Sequence, residues 1–285
     1  MNLYCLRDDQ YTPAPGTALQ GNKVRKLAPV LTAALAETVR PVLVSFGGAY
    51  SNHLSALATA GRIYGLQTAV FVRGEEVNNP LLRQAETDGA TLIRISRTAY
   101  RQKSDPAWRA RQRAELSEKF NLPETLIWFI PEGGTTPGAV TSVGQLYRSI
   151  IDGLGQKPDY LCVAAGTGGT AAGLIAAADP NVRTEVFPAL KGDWVADEIK
   201  KLLPATASTN WSCVPGYHFG GYGKFPAEWI VPAGGLAKRA RLTEGLPPLE
   251  PVYTAKLFAG VLDRMVRGVY PPGCTVVVVH TGGIY

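Results

Sequence analysis

Short runs rich in β-branched and aromatic residues alternate with alanine- and leucine-rich stretches, and this alternation limits the fold more than any other feature. Residues 41–46 (PVLVSF), 67–72 and 90–95 read as buried strands, with helices at 51–64 and 80–89 between them. Neighbouring strands joined through a helix pair in parallel, because a tight hairpin can only reverse the chain. The expected fold class is therefore α/β, with mainly parallel sheets flanked by helices. The pattern continues with a charged helix at 104–120, a short strand at 127–130 and a helix at 139–152. Strands at 160–165, 183–189 and 275–279 follow, with helices at 171–178, 193–203 and 253–267. Residues 208–225, rich in glycine and aromatics, read as a loop near a site, and 245–251 as a proline-rich connector.

A chain of 285 residues can bury one large core or two smaller ones. The net charge is +6, with basic clusters at 101–113 and 191–201. Both clusters contain acids and each has a single tryptophan, so they read as solvated helix faces and not as a nucleic-acid surface. The positive field suits an anionic substrate or cofactor. Four cysteines and three histidines are scattered with no C-x-x-C pair, so no metal centre is expected. No apolar run approaches the ~20 residues of a membrane helix, and no leader opens the chain. No membrane partner is expected, and the cytoplasm is the expected setting.

Three places carry candidate chemistry. In Gly21-Asn22-Lys23-Val24-Arg25-Lys26-Leu27, Lys23 has two cations within three residues. If Asn22 caps a helix here, the helix's positive end adds to them in disfavouring a charged amine. A neutral lysine can condense with an aldehyde; a solvated basic turn is the plainer alternative. In Gly166-Thr167-Gly168-Gly169-Thr170, between a strand and a helix, glycines would let backbone N–H groups crowd round an anion. The motif is no P-loop. With Ala171 it fits the looser dinucleotide pattern, but no acid stands about 20 residues on at a strand end, so a single phosphate fits better. In Gly47-Gly48-Ala49-Tyr50-Ser51-Asn52-His53, Ser51 or Asn52 can cap a helix or bind a carboxylate. His53 can stack on a ring or fill a core. Weaker candidates are 217–224, 252–254 and 280–283, each with aromatic or hydroxyl residues at an element's end.

Taken in order, Arg7-Asp8-Asp9, 21–27, 47–53, 131–134, 165–173, 188–192, 218–224, 251–253 and 280–283 resemble the pyridoxal 5'-phosphate enzymes of the tryptophan synthase β-like type. Within that type the chain is most similar to the D-cysteine desulfhydrase and 1-aminocyclopropane-1-carboxylate deaminase family. The resemblance implies two domains, 38–137 and a larger one from 1–37 and 138–285, with the cofactor site between them and a homodimer as the assembly. It implies Lys23 as covalent anchor and proton carrier, and Gly166, Thr167, Gly168, Gly169 and Thr170 as the phosphate cradle. Asn52 would meet the cofactor's phenolic oxygen and Ser51 the substrate carboxylate. Tyr222 and Tyr253 would face the substrate, with Tyr50 and His53 beside it, and Thr281 or Thr254 would lie near the pyridine nitrogen. Thr254, Thr281 and Ser51-Asn52-His53 are like the desulfhydrase branch, which implies α,β-elimination from D-cysteine; the cyclopropane deaminase reaction is the alternative. The chain departs from the family at Tyr50, where glutamine is usual, at Leu54-Ser55, and between Thr12 and Gly21. Those departures keep a third alternative open, a binder of the cofactor or of a small ligand that has lost turnover.

Overall fold

A computed structural model describes residues 1–75, 77–226 and 245–283. Glu76, at the end of the turn after the second expected strand, lies outside them. By contacts the chain divides into two compact units. One gathers 1–16, 20–25 and the described residues from 137 onward; the other gathers 17–19 and the described residues of 26–136. Residues 26–37, expected with the larger part, group by contacts with the smaller unit, whose Thr135 accepts a hydrogen bond from Lys26 Nζ at 2.9 Å.

The smaller unit carries a four-stranded sheet of order β4-β3-β2-β5, from β2 (Val42–Gly47), β3 (Thr68–Arg73), β4 (Thr91–Ile95) and β5 (Ile127–Phe129), all pairs parallel. Every residue of β2 is buried, as expected of a central strand covered on both faces. One face packs Val42, Val44, Phe46, Ala69 and Phe71 against Trp108 and Leu116 of α5 (Pro106–Phe120) and Tyr100 of α4 (Arg97–Arg101). α2 (Asn52–Tyr64) and α3 (Pro80–Thr87) belong to the same unit, as does α1 (Asn22–Ala36) from Lys26 on.

One expectation needs correction here. The 101–113 cluster is not simply a solvated face. The Arg109 and Arg113 guanidinium groups lie 5.8 and 5.4 Å from the Phe129 ring centre, and Arg109 lies 5.7 Å from that of Phe46. Arginine's flat, weakly hydrated head can cap an aromatic cluster while its edge stays wet.

The larger unit carries a five-stranded sheet of order β1-β9-β6-β7-β8, again parallel throughout. Its strands are β1 (Asn2–Arg7), β6 (Tyr160–Ala165), β7 (Arg183–Pro188), β8 (Trp211–Cys213) and β9 (Thr275–His280). Alternate residues serve opposite cores. Leu161, Val163, Val277 and Val279 pack with α6 (Pro137–Leu154), α7 (Gly169–Ala177) and α8 (Trp194–Leu202). Cys162, Ala164, Val276 and Val278 pack with α9 (Thr254–Val266). Gly173 on α7 lets α6 come close: a Cβ there would stand 2.6 Å from the Val140 carbonyl oxygen. The sequence reading missed β1 and β8. Both are sheet edges, β1 half exposed and β8 only three residues long, so neither writes a clear buried run.

Candidate active site

The Lys23 stretch is threaded through the larger unit by its backbone. Gly21 N–H donates to the Tyr11 carbonyl at 2.8 Å, and Asn22 N–H to the Thr281 carbonyl at 3.3 Å. Asn22 opens α1 instead of standing ahead of it as a cap, and its carboxamide points elsewhere. Its Oδ1 accepts from Lys23 Nζ at 2.9 Å, and its Nδ2 donates to Thr170 Oγ1 at 2.9 Å. One side chain thus joins the amine near the start of the chain to the glycine turn 148 residues later.

The Lys23 ammonium is lowered to about 8, and desolvation by burial is the cause. The nearby cations expected to do this are engaged elsewhere. Arg25 makes an ion pair with buried Asp8 at 2.9 Å and lies 4.1 Å from the Tyr11 ring centre, and Lys26 bonds Thr135. Glu250 and Asp8 act in the opposite direction, favouring the charged amine. Since only the neutral amine condenses with an aldehyde, capture of an aldehyde cofactor by cofactor-free protein should speed up with pH through about 8. Stopped-flow absorbance between pH 6 and 10 checks this, and a rate that is flat or falls with pH contradicts it.

The glycine turn is closely packed by its neighbours. Gly168 precedes α7 in the left-handed region, φ 81°, where a Cβ would meet Ile199 Cγ1 at 2.8 Å. A Cβ on Gly166 would stand 2.9 Å from the Tyr253 ring and 3.2 Å from its hydroxyl, so the Tyr253 phenol lies against the turn. The first-turn N–H groups of α7 follow directly on the glycine turn, and a helix start leaves such groups without partners inside the helix. The two acids nearest in sequence are engaged: Asp179 accepts from Tyr147 at 2.9 Å and Lys157 at 2.6 Å, and Glu185 from Arg264 at 2.6 Å and Tyr270 at 2.9 Å. Neither is available to a ribose, which favours a single phosphate.

Glu250, which the sequence reading passed over, organises the start of α9. Its buried carboxylate accepts from the backbone N–H groups of Val252, Tyr253 and Thr254, each at 2.7 Å. Burial pushes this carboxyl up and those bonds pull it down. An acid and a hydroxyl bracketing a helix start were the available signal. Thr254 is fully buried, and its hydroxyl accepts from Glu250 N–H at 2.9 Å and donates to the Glu250 carbonyl at 3.2 Å. Of the two threonines expected near a ring nitrogen, Thr254 is thus committed to the cap. Thr281, whose carbonyl receives Asn22, stands next to the Lys23 stretch. Tyr222 lies partly exposed in a loop where Gly220 N–H donates to His218 Nδ1 and Tyr217 hydroxyl to Asp263.

In the smaller unit, Ser51 caps α2, accepting from Leu54 N–H at 3.4 Å, and Asn52 is the first residue of that helix. Tyr50 is 52% exposed. His53 is buried, with Nε2 2.8 Å from Ser45 Oγ, the arrangement of a core histidine. Among the described residues no group of three or more metal-binding side chains comes together, and no helix is long and apolar enough to cross a membrane.

The pattern that defines pyridoxal-phosphate-dependent enzymes matches residues 4–201. The chain belongs to that family. A Pyrococcus abyssi protein, provisionally named a 1-aminocyclopropane-1-carboxylate deaminase, is 31% identical over 100% of this chain and 85% of its own length. A mitochondrial Arabidopsis thaliana protein, named a bifunctional D-cysteine desulfhydrase/1-aminocyclopropane-1-carboxylate deaminase, is 26% identical over 99% of this chain and 72% of its own. The crystal structure of an ACC deaminase homologue superposes with a TM-score of 0.75 at 26% identity, covering 99% of this chain and 84% of that one. The cofactor of the family is pyridoxal phosphate, and the residues present suit it. A phosphate needs a cradle of N–H groups that side chains would block, and an aldehyde needs an amine that sheds its proton near neutrality. Gly166 to Thr170 and Lys23 meet these needs, and Asn22 ties them together.

Proposed function

We propose that this pyridoxal-phosphate enzyme carries out α,β-elimination on a small amino acid, with D-cysteine as the substrate: D-cysteine and water give pyruvate, hydrogen sulfide and ammonia. The Lys23–Asn22–Thr170 chain of bonds is the observation that carries this reading, because it sets a proton-shedding amine beside a phosphate cradle. Bound pyridoxal phosphate supplies the electron sink that allows a bond at the substrate's α-carbon to break. Lys23 Nζ anchors the cofactor, then takes the α-proton, and Asn22 Oδ1 orients that nitrogen. Gly166, Thr167, Gly168, Gly169 and Thr170 hold the phosphate. Tyr253, lying against Gly166, and Tyr222 face the substrate and move protons. Thr281 would lie near the pyridine nitrogen, where a hydroxyl in place of a carboxylate would leave the ring uncharged and favour rapid elimination. Ser51 is assigned the substrate carboxylate and Asn52 the phenolic oxygen; His53 and Tyr50 neighbour the substrate on the resemblance alone.

The Arabidopsis relative named for both activities supports the D-cysteine assignment, as do Thr254, Thr281 and the Ser-Asn-His triplet. A second reading, 1-aminocyclopropane-1-carboxylate deamination to 2-oxobutyrate and ammonia, is favoured by the names of most of the relatives. Cofactor-loaded protein given each compound separates the two readings. Sulfide and pyruvate from D-cysteine with no 2-oxobutyrate from the cyclopropane acid is the expected result. The reverse pattern selects the deaminase, and a yellow protein that consumes neither compound is a binder.

A further inference from the structure

Lys256 stands on the first turn of α9, three residues after Tyr253, and is 1% exposed. A buried ammonium is costly unless its protons are received. Nζ donates to two carbonyls from different elements, Ala189 at 2.8 Å and Gly221 at 2.8 Å. Ala189 follows β7, and its own N–H donates to the Ala165 carbonyl, one residue before the glycine turn. Gly221 immediately precedes Tyr222, with φ 125°, a backbone conformation that only glycine adopts readily. Its N–H donates to the His218 carbonyl at 3.0 Å, and its carbonyl also accepts from Lys224 N–H at 3.1 Å. One buried cation therefore joins the helix start that presents Tyr253, the strand end beside the phosphate cradle, and the turn that presents Tyr222.

We infer that Lys256 is a positioning residue that holds the Tyr222 loop against the start of α9, so that the two phenols are set by a single side chain. Desolvation lowers this ammonium too, with Glu250 opposing; the two carbonyl contacts, and not that shift, are what tie the loop to the helix. Lys256 touches no reacting atom; it acts through Tyr222. The inference rests on the reading that Tyr222 faces the substrate, but its structural half can be tested without substrate or cofactor.

Hydrogen exchange on cofactor-free protein gives the first test. In Lys256→Met, which keeps the stem and loses the donors, amides of 218–224 should exchange about ten- to a hundredfold faster, while those of β6 and α7 hold their rates. Lys256→Gln, with a shorter donor, should fall between. The cofactor-loaded Met variant should keep its visible absorbance and show a KM for D-cysteine about tenfold higher, more than any fall in kcat. Unchanged exchange at 218–224, or faster exchange spread evenly over the larger unit, overturns the inference. If neither variant folds, the wild type decides: amides of Gly221 and Lys224 exchanging at unstructured rates overturn it, and strong protection there supports it. Faster loop exchange in a protein that turns over no D-cysteine leaves the clamp standing and removes the substrate reading instead.

Discussion

Lys23→Ala should leave a folded protein that is colourless and about 10⁴-fold slower, since it loses both the anchor and the group that moves the proton. The fold should tolerate it. Lys23 is held in a desolvated place that its charge disfavours, and Asn22 keeps its bond to Thr170 without it. The thermal midpoint of the cofactor-free variant should therefore stay within a few degrees of wild type, about the shift that 1 kcal/mol makes in a chain of this size. Three measurements belong together: visible absorbance after dialysis against pyridoxal phosphate, sulfide release from D-cysteine, and the peptide labelled by borohydride reduction. In the wild type the label should sit on the peptide holding Lys23 and in the variant nowhere. Lys256 is the informative control, because it is also a lysine lowered to about 8 and also lies in the larger unit. A low pKa alone does not distinguish the two. Lys256 has its protons received by two carbonyls, whereas Lys23 meets a carboxamide that also bonds Thr170 of the glycine turn. Label on Lys256, or an alanine variant of Lys23 with full activity, would end the assignment.

That contrast shows what could be read from the sequence and what could not. Buried parallel strands announce themselves, because both faces must be apolar: β2, β6 and β9 lie within a residue or two of where their runs placed them. The glycine turn was legible for a similar reason, since local chemistry fixes it. The lowering at Lys23 was expected, but from the wrong cause. Counting neighbouring charges along the chain could not show that Arg25 turns to Asp8 or that burial does the lowering. Glu250 and Lys256 went unread because each works through backbone groups, three N–H for the acid and two carbonyls for the lysine. Backbone partners leave no mark in residue identity. Thr254 shows the converse: its kind of residue was noted, and only the structure shows its hydroxyl spent on the cap.

Gly21→Ala should be the most damaging added methyl among the described glycines. A Cβ at this position would run into the Thr281 carbonyl oxygen and would stand 2.9 Å from its carbonyl carbon and 3.2 Å from the Asp8 oxygen, all backbone atoms. A flexible side chain could swing away from such a contact; two strand ends cannot. Gly21 also has φ 57°, the left-handed region, so alanine adds about 1–2 kcal/mol of conformational strain before any clash is counted. With overpacking added, the larger unit should lose about 3 kcal/mol or more. Relief requires Gly21 and Thr281 to part, which breaks the Asn22 N–H bond to the Thr281 carbonyl and tilts the first turn of α1. Lys23 Nζ then leaves its place beside Asn22 Oδ1, so cofactor capture should slow even at temperatures where the variant stays folded. Gly16→Ala is the control, since that glycine also has positive φ, 73°, but its Cβ would meet nothing within 4 Å. Denaturant unfolding and capture rates on both variants separate strain from collision. Equal losses would mean that the Thr281 contact costs nothing, and that the path of the chain into Lys23 is not set by the end of β9.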